Sequence, residues 1–442
     1  MEEVKRVLLI ATTTGYQIRS FGEAAAKLGV RLVFASDRCD QLEDPWWDQA
    51  IPVRFHEPAL SVEAIAAAFA GTRLDGILAV GDRPAMLAAA VAQAVALPGN
   101  PPDAAFRSRN KLASREAMRD AGLPVPFFEP VAMDADAQAM GGRISYPAVV
   151  KPLALSGSRG VMRVDTPGEF VATFDRLRRL LQSPDVRLER DEAHDMAMIE
   201  SFIPGREFAV EGLLDRGALR VLAIFDKPDP LDGPFFEETI YVTPSRAPDA
   251  IQRQIEDAVA AAVSALGLHH GPVHAECRVD GHTVYVLEVA ARPIGGLCSK
   301  ALRFSGQRAA GSGQGATAAS LEELLLRHAI GEDISTFERE RAASGVMMIP
   351  IPQRGVFRGV ERVEEARAVP GVEEIQITAK PDATLVPLPE GKSYLGFIFA
   401  RSGEPEEVER SLREAHARLR FKIEKEIPLA SSFGSFESFE SF

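Results

Sequence analysis

Apolar positions in this chain come first as short unbroken runs and later as alternating ones. Val7-Leu8-Leu9-Ile10 is continuous and ends in the small-residue loop Ala11-Thr12-Thr13-Thr14-Gly15, which predicts a strand buried on both faces. A helix at Ile18–Leu28, a strand at 31–35, an Ala-rich helix at 62–69, a strand at 76–80 ending in Gly81-Asp82, and an Ala-rich helix at 84–96 follow. Strand and helix alternating at this spacing predict an α/β domain with a doubly wound parallel sheet over residues 1–102. The breaker cluster Leu97-Pro98-Gly99-Asn100-Pro101-Pro102 marks its end.

Residues 103–320 have a different rhythm. A helix beginning near Arg107 stops at Gly122 and Pro124. A strand at 146–152 ends in Lys151-Pro152, and the charge-dense stretch 176–195 predicts an exposed helix and loop. Two strands flank Pro204-Gly205, a long Pro/Gly/Asp loop covers 226–238, and Ile251, Ile255, Val259 and Val263 line an amphipathic helix at 249–266. Gly295-Gly296 and the small-residue stretch 311–320 suggest flexibility. From Leu321 helices alternate with strands at 346–350, 374–378 and 394–400, ending in a helix at 404–419, which predicts a separate C-terminal α+β domain over 321–430. The Ser/Phe/Glu tail 431–442 is low in complexity and is expected to be disordered.

The stretch 271–293 organises the rest. Val, Tyr and Thr are enriched on both sides of Asp280-Gly281, so it reads as a β-hairpin with one carboxylate in each strand, Glu276 and Glu288. Two turns are open. A two-residue Asp280-Gly281 loop puts the carboxylates on opposite faces, because side chains alternate with period two. A three-residue loop with Gly281 left-handed in a bulge shifts the register by one. His274 then faces Glu288, Glu276 is its diagonal neighbour, and Arg292 follows on that face. We expect the bulged turn; the ordinary alternative is two solvated glutamates on a polar face.

The chain has 442 residues, 46% hydrophobic and 26% charged, too long for one core and ordinary for globular domains. Its net charge of −13 argues against nucleic-acid partners, which need basic surface. It leaves room for a local basic pocket. Cys39, Cys277 and Cys298 have no metal-type spacing, which fits a reducing compartment. No secretory h-region or membrane-length apolar run occurs, and the expectation is a cytoplasmic protein. The 12–16 loop lacks the G-x-G-x-x-G dinucleotide fingerprint.

Candidate anion-binding groups precede the hairpin. Lys111 lies near a helix start, where the macrodipole disfavours a cation unless an anion is bound beside it. Lys151 closes a strand just before Leu155-Ser156-Gly157-Ser158-Arg159-Gly160, a loop able to turn backbone N–H groups inward around phosphate. Glu200-Ser201-Phe202-Ile203 leads into Pro-Gly and then Glu207, an apolar linker suited to a flat ring with a carboxylate for ribose hydroxyls. A solvated lysine and a plain hairpin are the ordinary alternatives.

Taken together these pieces resemble the ATP-grasp superfamily. They are Asn110-Lys111 before a helix ending Ala121-Gly122-Leu123-Pro124-Val125-Pro126, then Val149-Val150-Lys151-Pro152 with the Ser156–Gly160 loop. Glu200 to Glu207 follows, then Glu276, then Glu288 to Arg292-Pro293 with Gly295-Gly296. The first domain resembles a pre-ATP-grasp domain, and the C-terminal part is similar to that of L-amino-acid ligases of the bacilysin-synthetase type. The resemblance implies two α+β lobes clamping ATP and Mg²⁺ (or Mn²⁺). Lys111 and Lys151 would bind the α- and β-phosphates, Ser156, Gly157, Ser158 and Gly160 the β- and γ-phosphates. Glu200, Ser201, Phe202 and Ile203 would form the adenine linker and Glu207 would hold ribose. Glu276 and Glu288 would ligate the metal, and Arg292 would steady the acyl phosphate and oxyanion. It implies a carboxylate–amine ligase joining amino acids through an acyl phosphate, with small-molecule partners and a homodimer as the assembly common among related ligases. The alternatives are a purine-biosynthesis or carboxylase type of ATP-grasp enzyme, or a nucleotide-binding module without turnover. One departure stands out: Ala290 occupies a position where most of the family has a metal-ligating Asn.

Overall fold

The computed structural model describes residues 4–12, 17–37, 50–306 and 318–425. The expectations for residues 13–16, Cys39, most of 311–320 and the tail 431–442 fall outside these residues. The first sheet is parallel as expected: Arg6–Ala11 lies between Arg31–Ser36 and Gly76–Val80, with Ile51–Pro52 at the edge. The Ile18–Leu28 helix has the predicted bounds and stops where Gly29 turns left-handed. The next two helices, Pro58–Ala68 and Asp82–Ala94, start earlier than the pattern predicted. Pro58 suits a first helical turn, where a missing N–H costs nothing.

The stretch after the breaker cluster holds two helices rather than one, Pro102–Arg109 and Lys111–Asp120. Asn110 separates them and caps the second, its Oδ1 accepting from the amides of Leu112 and Ala113 at 3.1 Å each. Beyond it a first lobe carries a four-stranded sheet ordered Phe128–Ala132, Met196–Ser201, Ala148–Pro152, Met162–Val164. The helix Pro167–Leu181 covers it, burying Phe170, Phe174, Leu177, Leu180 and Leu181. The charge-dense segment expected to be exposed is therefore amphipathic at its start, with only its polar face in solvent.

The second lobe is an eight-stranded antiparallel sheet. Its order is Thr283–Ala290, Gly271–Asp280, Arg206–Asp215, Ala218–Asp226, Ile240–Thr243, Ala343–Ile349, Gly396–Ser402, Val372–Ile377. The strands on either side of Pro204-Gly205 thus belong to different sheets, and the segment between them links the lobes. The C-terminal elements, expected as a separate unit, extend the same sheet. Val242 pairs with Gly345, where an added Cβ would sit 2.7 Å from the Tyr241 carbonyl, so only glycine allows this approach. One core holds Val7 and Phe21 of the first unit together with Leu297, Leu325, Phe397 and Phe399. Burying each such side chain contributes roughly 1.5–3 kcal/mol, so the three parts of the chain stabilise one another.

The lobe linker depends on Gly205. Its φ is +98°, and a Cβ there would lie 2.1 Å from the Val279 carbonyl oxygen. G205A is expected to destabilise the protein by about 1–3 kcal/mol, the range for a residue forced into a sparsely populated backbone region. Urea unfolding followed by far-UV circular dichroism measures this; an unchanged midpoint would refute the strain assigned to the linker.

Candidate active site

Glu276 and Glu288 face each other directly. The strand pairing runs Asp280 with Thr283 and Cys277 with Val286 near the turn, then Glu276 with Glu288 and His274 with Ala290 farther out. The extra residue that puts both carboxylates on one face is Leu287, in mid-strand, not a residue of the turn. This corrects the expected register: His274 lies opposite Ala290 rather than Glu288, and Glu276 is directly opposite rather than diagonal. Gly281 is left-handed as expected, with φ +59°, but the loop is the two residues Gly281-His282. Glycine at the first position of such a loop is what a type II′ turn requires.

Around this pair lies a cavity of about 500 Å³, within the range of small-molecule sites. All of the predicted site residues line it except Gly160. Lys111 opens the second helix, its Nζ 3.4 Å from Glu288 and donating to the Leu155 carbonyl at 2.8 Å. An anion does sit beside this helix start, and it is Glu288. Arg292 Nε donates to Asp82 Oδ1 at 2.7 Å, which ties the hairpin to the end of a first-domain strand. Burial would raise the Asp82 carboxyl, yet the Arg292 guanidinium holds it below its ordinary value.

The Ser156–Gly160 loop is tight. Gly157 and Ser158 have φ of 63° and 55°. The amides of Ser156, Gly157 and Ser158 have no backbone partner among the described residues, whereas Gly160 donates to the Pro389 carbonyl at 2.9 Å. Gly160 is thus a packing residue: a Cβ there would meet Leu177 and Leu180 at 3.0 Å. This corrects its place in the phosphate cradle.

The linker also differs in detail. Glu200 is buried and ion-paired with Arg115 at 2.6 Å and with Lys151. Its carboxylate orients Lys151 and is not free for a ring. The amides of Ser201 and Phe202 donate to the Phe127 and Pro147 carbonyls, and Arg278 takes the Ile203 carbonyl at 2.7 Å. The Phe202 ring lies between Arg163 and Arg278, 4.2 and 5.2 Å from its centroid. Glu207 gives one oxygen to Lys227 at 2.8 Å and the other to Arg278 at 2.9 Å.

Lys227, Glu238, Arg278, Arg115 and Glu211 were not anticipated. Lys227 Nζ lies 2.8 Å from Glu207, 2.6 Å from Glu238 and 3.2 Å from Glu276. Lys227 and Glu238 sit near the two ends of the long 226–238 loop, whose length alone marked it. Arg115 had a signal: with Lys111 it places two cations at i and i+4 on one helix face, a repulsive pair unless both face anions. Glu211 had none, because it reads as one polar residue in an apolar strand. It pairs with His274 across the sheet, 3.2 Å from Nδ1, and accepts from the Ile294 amide.

Burial would keep the His274 imidazole neutral, but Glu211 and Glu276 raise it to about 9. Burial would likewise raise Glu276, but Lys227 and His274 pull it down to about 2. Glu211 and Glu276 thus favour the imidazolium form of His274, and Lys227 and His274 favour the carboxylate form of Glu276. Glu276 and Glu288 fit Mg²⁺: hard oxygen donors, directly opposed, each partly exposed to the cavity.

Three family models match the chain: an ATP-grasp N-terminal domain over 22–99, an ATP-grasp domain over 144–301 and L-amino acid ligase C-terminal domain 2 over 347–424. The chain belongs to the ATP-grasp superfamily, a class that uses ATP with Mg²⁺. Within it, the chain is similar to an L-amino acid ligase from Bacillus licheniformis. The two structures share 28% identity at a TM-score of 0.79, covering 96% of this chain and 100% of the other. A D-alanine–D-alanine ligase of Aromatoleum aromaticum is 28% identical over 175 residues, 39% of this chain and 52% of its own. A protein of Sinorhizobium fredii designated y4rH is 24% identical over 69% of this chain and 59% of its own. The chain spans between half and two thirds of the length of these curated relatives. No helix among the described residues is long and apolar enough to cross a membrane.

Desolvation lowers Lys151 to about 8, and the cations Arg115 and Lys111 add to this against the opposing pull of Glu200. Its charge is therefore present below pH 8 and lost above it in the free protein. Nucleotide affinity that follows the protonated fraction of Lys151 is expected to fall about 25-fold between pH 7.5 and 9.5, since each pH unit well above the pKa removes a factor of about ten. K151M should bind more weakly and lose that component. Calorimetry with a non-hydrolysable ATP analogue checks this; equal pH profiles for the two proteins would count against Lys151 as a phosphate ligand.

Proposed function

We propose that this chain is an ATP-dependent, ADP-forming carboxylate–amine ligase that joins two amino acids through an acyl phosphate. The direct opposition of Glu276 and Glu288 within one cavity that also holds Lys111, Lys151 and Arg292 carries this reading. The similarity to an L-amino acid ligase over nearly the whole chain supports the amino-acid part. So does the reach of Met348, Lys392 and Tyr394 from the C-terminal part into the same cavity.

In the first step a substrate carboxylate attacks the γ-phosphorus, and ADP leaves. In the second the amine of the other substrate attacks the acyl carbonyl, phosphate leaves with the C–O bond electrons, and the amine loses a proton. Such chemistry needs positioning and charge neutralisation more than a covalent catalyst. Glu276 and Glu288 would hold Mg²⁺, which when bound supplies neutralising charge to the phosphates. Lys111 and Lys151 hold the α- and β-phosphates as point charges. The free amides of Ser156, Gly157 and Ser158 face the β- and γ-phosphates. Arg292, fixed by Asp82, meets the acyl phosphate and the tetrahedral oxyanion. Ser201, Phe202 and Ile203 wall the adenine slot. Each Glu207 oxygen keeps a second lone pair for a ribose hydroxyl.

Incubation with ATP, Mg²⁺ and pooled L-amino acids should release phosphate only when amino acids are present, with an amide product visible by mass spectrometry. Release that needs bicarbonate or a ribonucleotide instead would favour a purine-biosynthesis or carboxylase type, and none under any condition a binding module. E288Q should lower turnover at least a hundredfold, an order-of-magnitude figure for losing an electrostatic catalytic group, with an unchanged circular dichroism spectrum.

A further inference from the structure

At the far ends of the strands that carry Glu211 and His274, a second set of ligand-type side chains converges. Asp215 closes the strand Arg206–Asp215, and His270 immediately precedes Gly271–Asp280, its antiparallel partner. His328 lies in the last turn of the helix Leu321–Ala329. Asp215 Oδ1 is 3.9 Å from His270 Nδ1 and 3.9 Å from His328 Nε2, and the three atoms all lie within 4.8 Å of one another. The two imidazoles stack with centroids 4.3 Å apart.

Two independent observations point to a ligand. His328 is 7% exposed, and its Nε2 is buried without a hydrogen-bond partner. A buried ring nitrogen left unpaired is costly, and most such groups in folded proteins are satisfied. Second, Asp215 Oδ2 is held by Arg216 at 3.0 Å, which leaves Oδ1 turned toward the rings. Burial pushes His270 down to about 4 and lowers His328, so both rings keep a free lone pair at neutral pH. The Asp215 side chain is 52% exposed, which opens a path for an ion and a water.

We propose that Asp215, His270 and His328 form a binding site for a divalent transition metal of the zinc type, with water completing the coordination. Two imidazoles and one carboxylate suit zinc, cobalt, nickel or copper, whereas Mg²⁺ prefers oxygen donors throughout. A zinc about 2.0–2.1 Å from each nitrogen needs ligand atoms roughly 3.3 Å apart, so the two 3.9 Å separations must close by about 0.6 Å and the third by up to about 1.5 Å. Asp215 and His270 each stand four residues along their strands from Glu211 and His274. The new site is therefore about 13 Å from that pair at roughly 3.3 Å per residue.

The placement says what such an ion does. It joins the Leu321–Ala329 helix to the central sheet, and the same helix touches the first domain. Gly76 packs so closely on the Ala329 carbonyl that a Cβ would lie 2.4 Å from the oxygen. A bound ion is a clip across the seam between the first sheet and the central one, outside the chemistry.

Cobalt titration of the full chain in excess Mg²⁺ tests this. One equivalent should give the intense visible absorption of low-coordinate cobalt with imidazole ligands, and zinc should displace it and raise the thermal midpoint. D215N, at a side chain that is 52% exposed, and H270A should each weaken binding at least tenfold. E288Q should bind as the parent does. No visible band, equal binding by D215N and H270A, or loss of the band in E288Q would overturn the proposal, the last by placing the ion at the carboxylate pair.

Discussion

Everything at the centre of this molecule depends on one buried ammonium. Lys227 Nζ holds the carboxylates of Glu207, Glu238 and Glu276 within 3.2 Å. Taking each ion out of water costs several kcal/mol, and three carboxylates so close would repel one another strongly. The cation makes the cluster tolerable, and the cluster raises the Lys227 pKa in turn, against the opposing effect of burial. Breaking such an arrangement by removing one partner leaves uncompensated charge, so the group behaves as a unit. It joins the 226–238 loop to two strands of the sheet and sets the charge beside Glu276. Arg278 repeats the device one step away, bridging Glu207 to the backbone of the lobe linker.

The second constraint is geometric. A strand alternates faces, so two carboxylates on paired strands either meet or miss by one residue. Leu287 as the extra residue brings Glu288 opposite Glu276. The neighbouring strand then places Glu211 opposite His274, and the chain leaving the hairpin carries Arg292 to Asp82 of the first sheet. A shift in one strand thereby positions groups from three parts of the chain.

What could be read from the sequence follows from this. The parallel first sheet and the helices at 18–28 and 249–266 were legible because their apolar spacing is regular and locally determined. The convergence of Glu276, Glu288, Lys111 and Lys151 on one cavity was legible from residue type and order. The register was not: a bulge in mid-strand leaves no turn residue to mark it, and Asp280-Gly281 drew attention to the wrong place. The C-terminal strands looked separate because nothing local records that Ile240–Thr243 would accept Ala343–Ile349 as its neighbour. Lys227 and Glu238 were hidden because their partners lie in distant segments, and pairing across such distances has no periodicity to detect.

Ala290 can now be placed in the charge balance. It is buried and lies directly across from His274, where most of the family carries a neutral amide ligand. In this chain the paired position carries His274, whose imidazolium form Glu211 on one side and Glu276 on the other both favour. An amide would donate an oxygen to a metal without changing net charge; the imidazolium donates nothing but cancels one carboxylate. Glu276 therefore enters any metal site already partly neutralised, while Glu288, with Lys111 3.4 Å away, is neutralised from the opposite direction. Ala290 offers no ligand atom, and the His274–Glu211 pair reduces the net negative charge beside Glu276. Ala290, His274 and Glu211 stand together on paired strands, so the charge beside Glu276 is set by the Glu211–His274 pair.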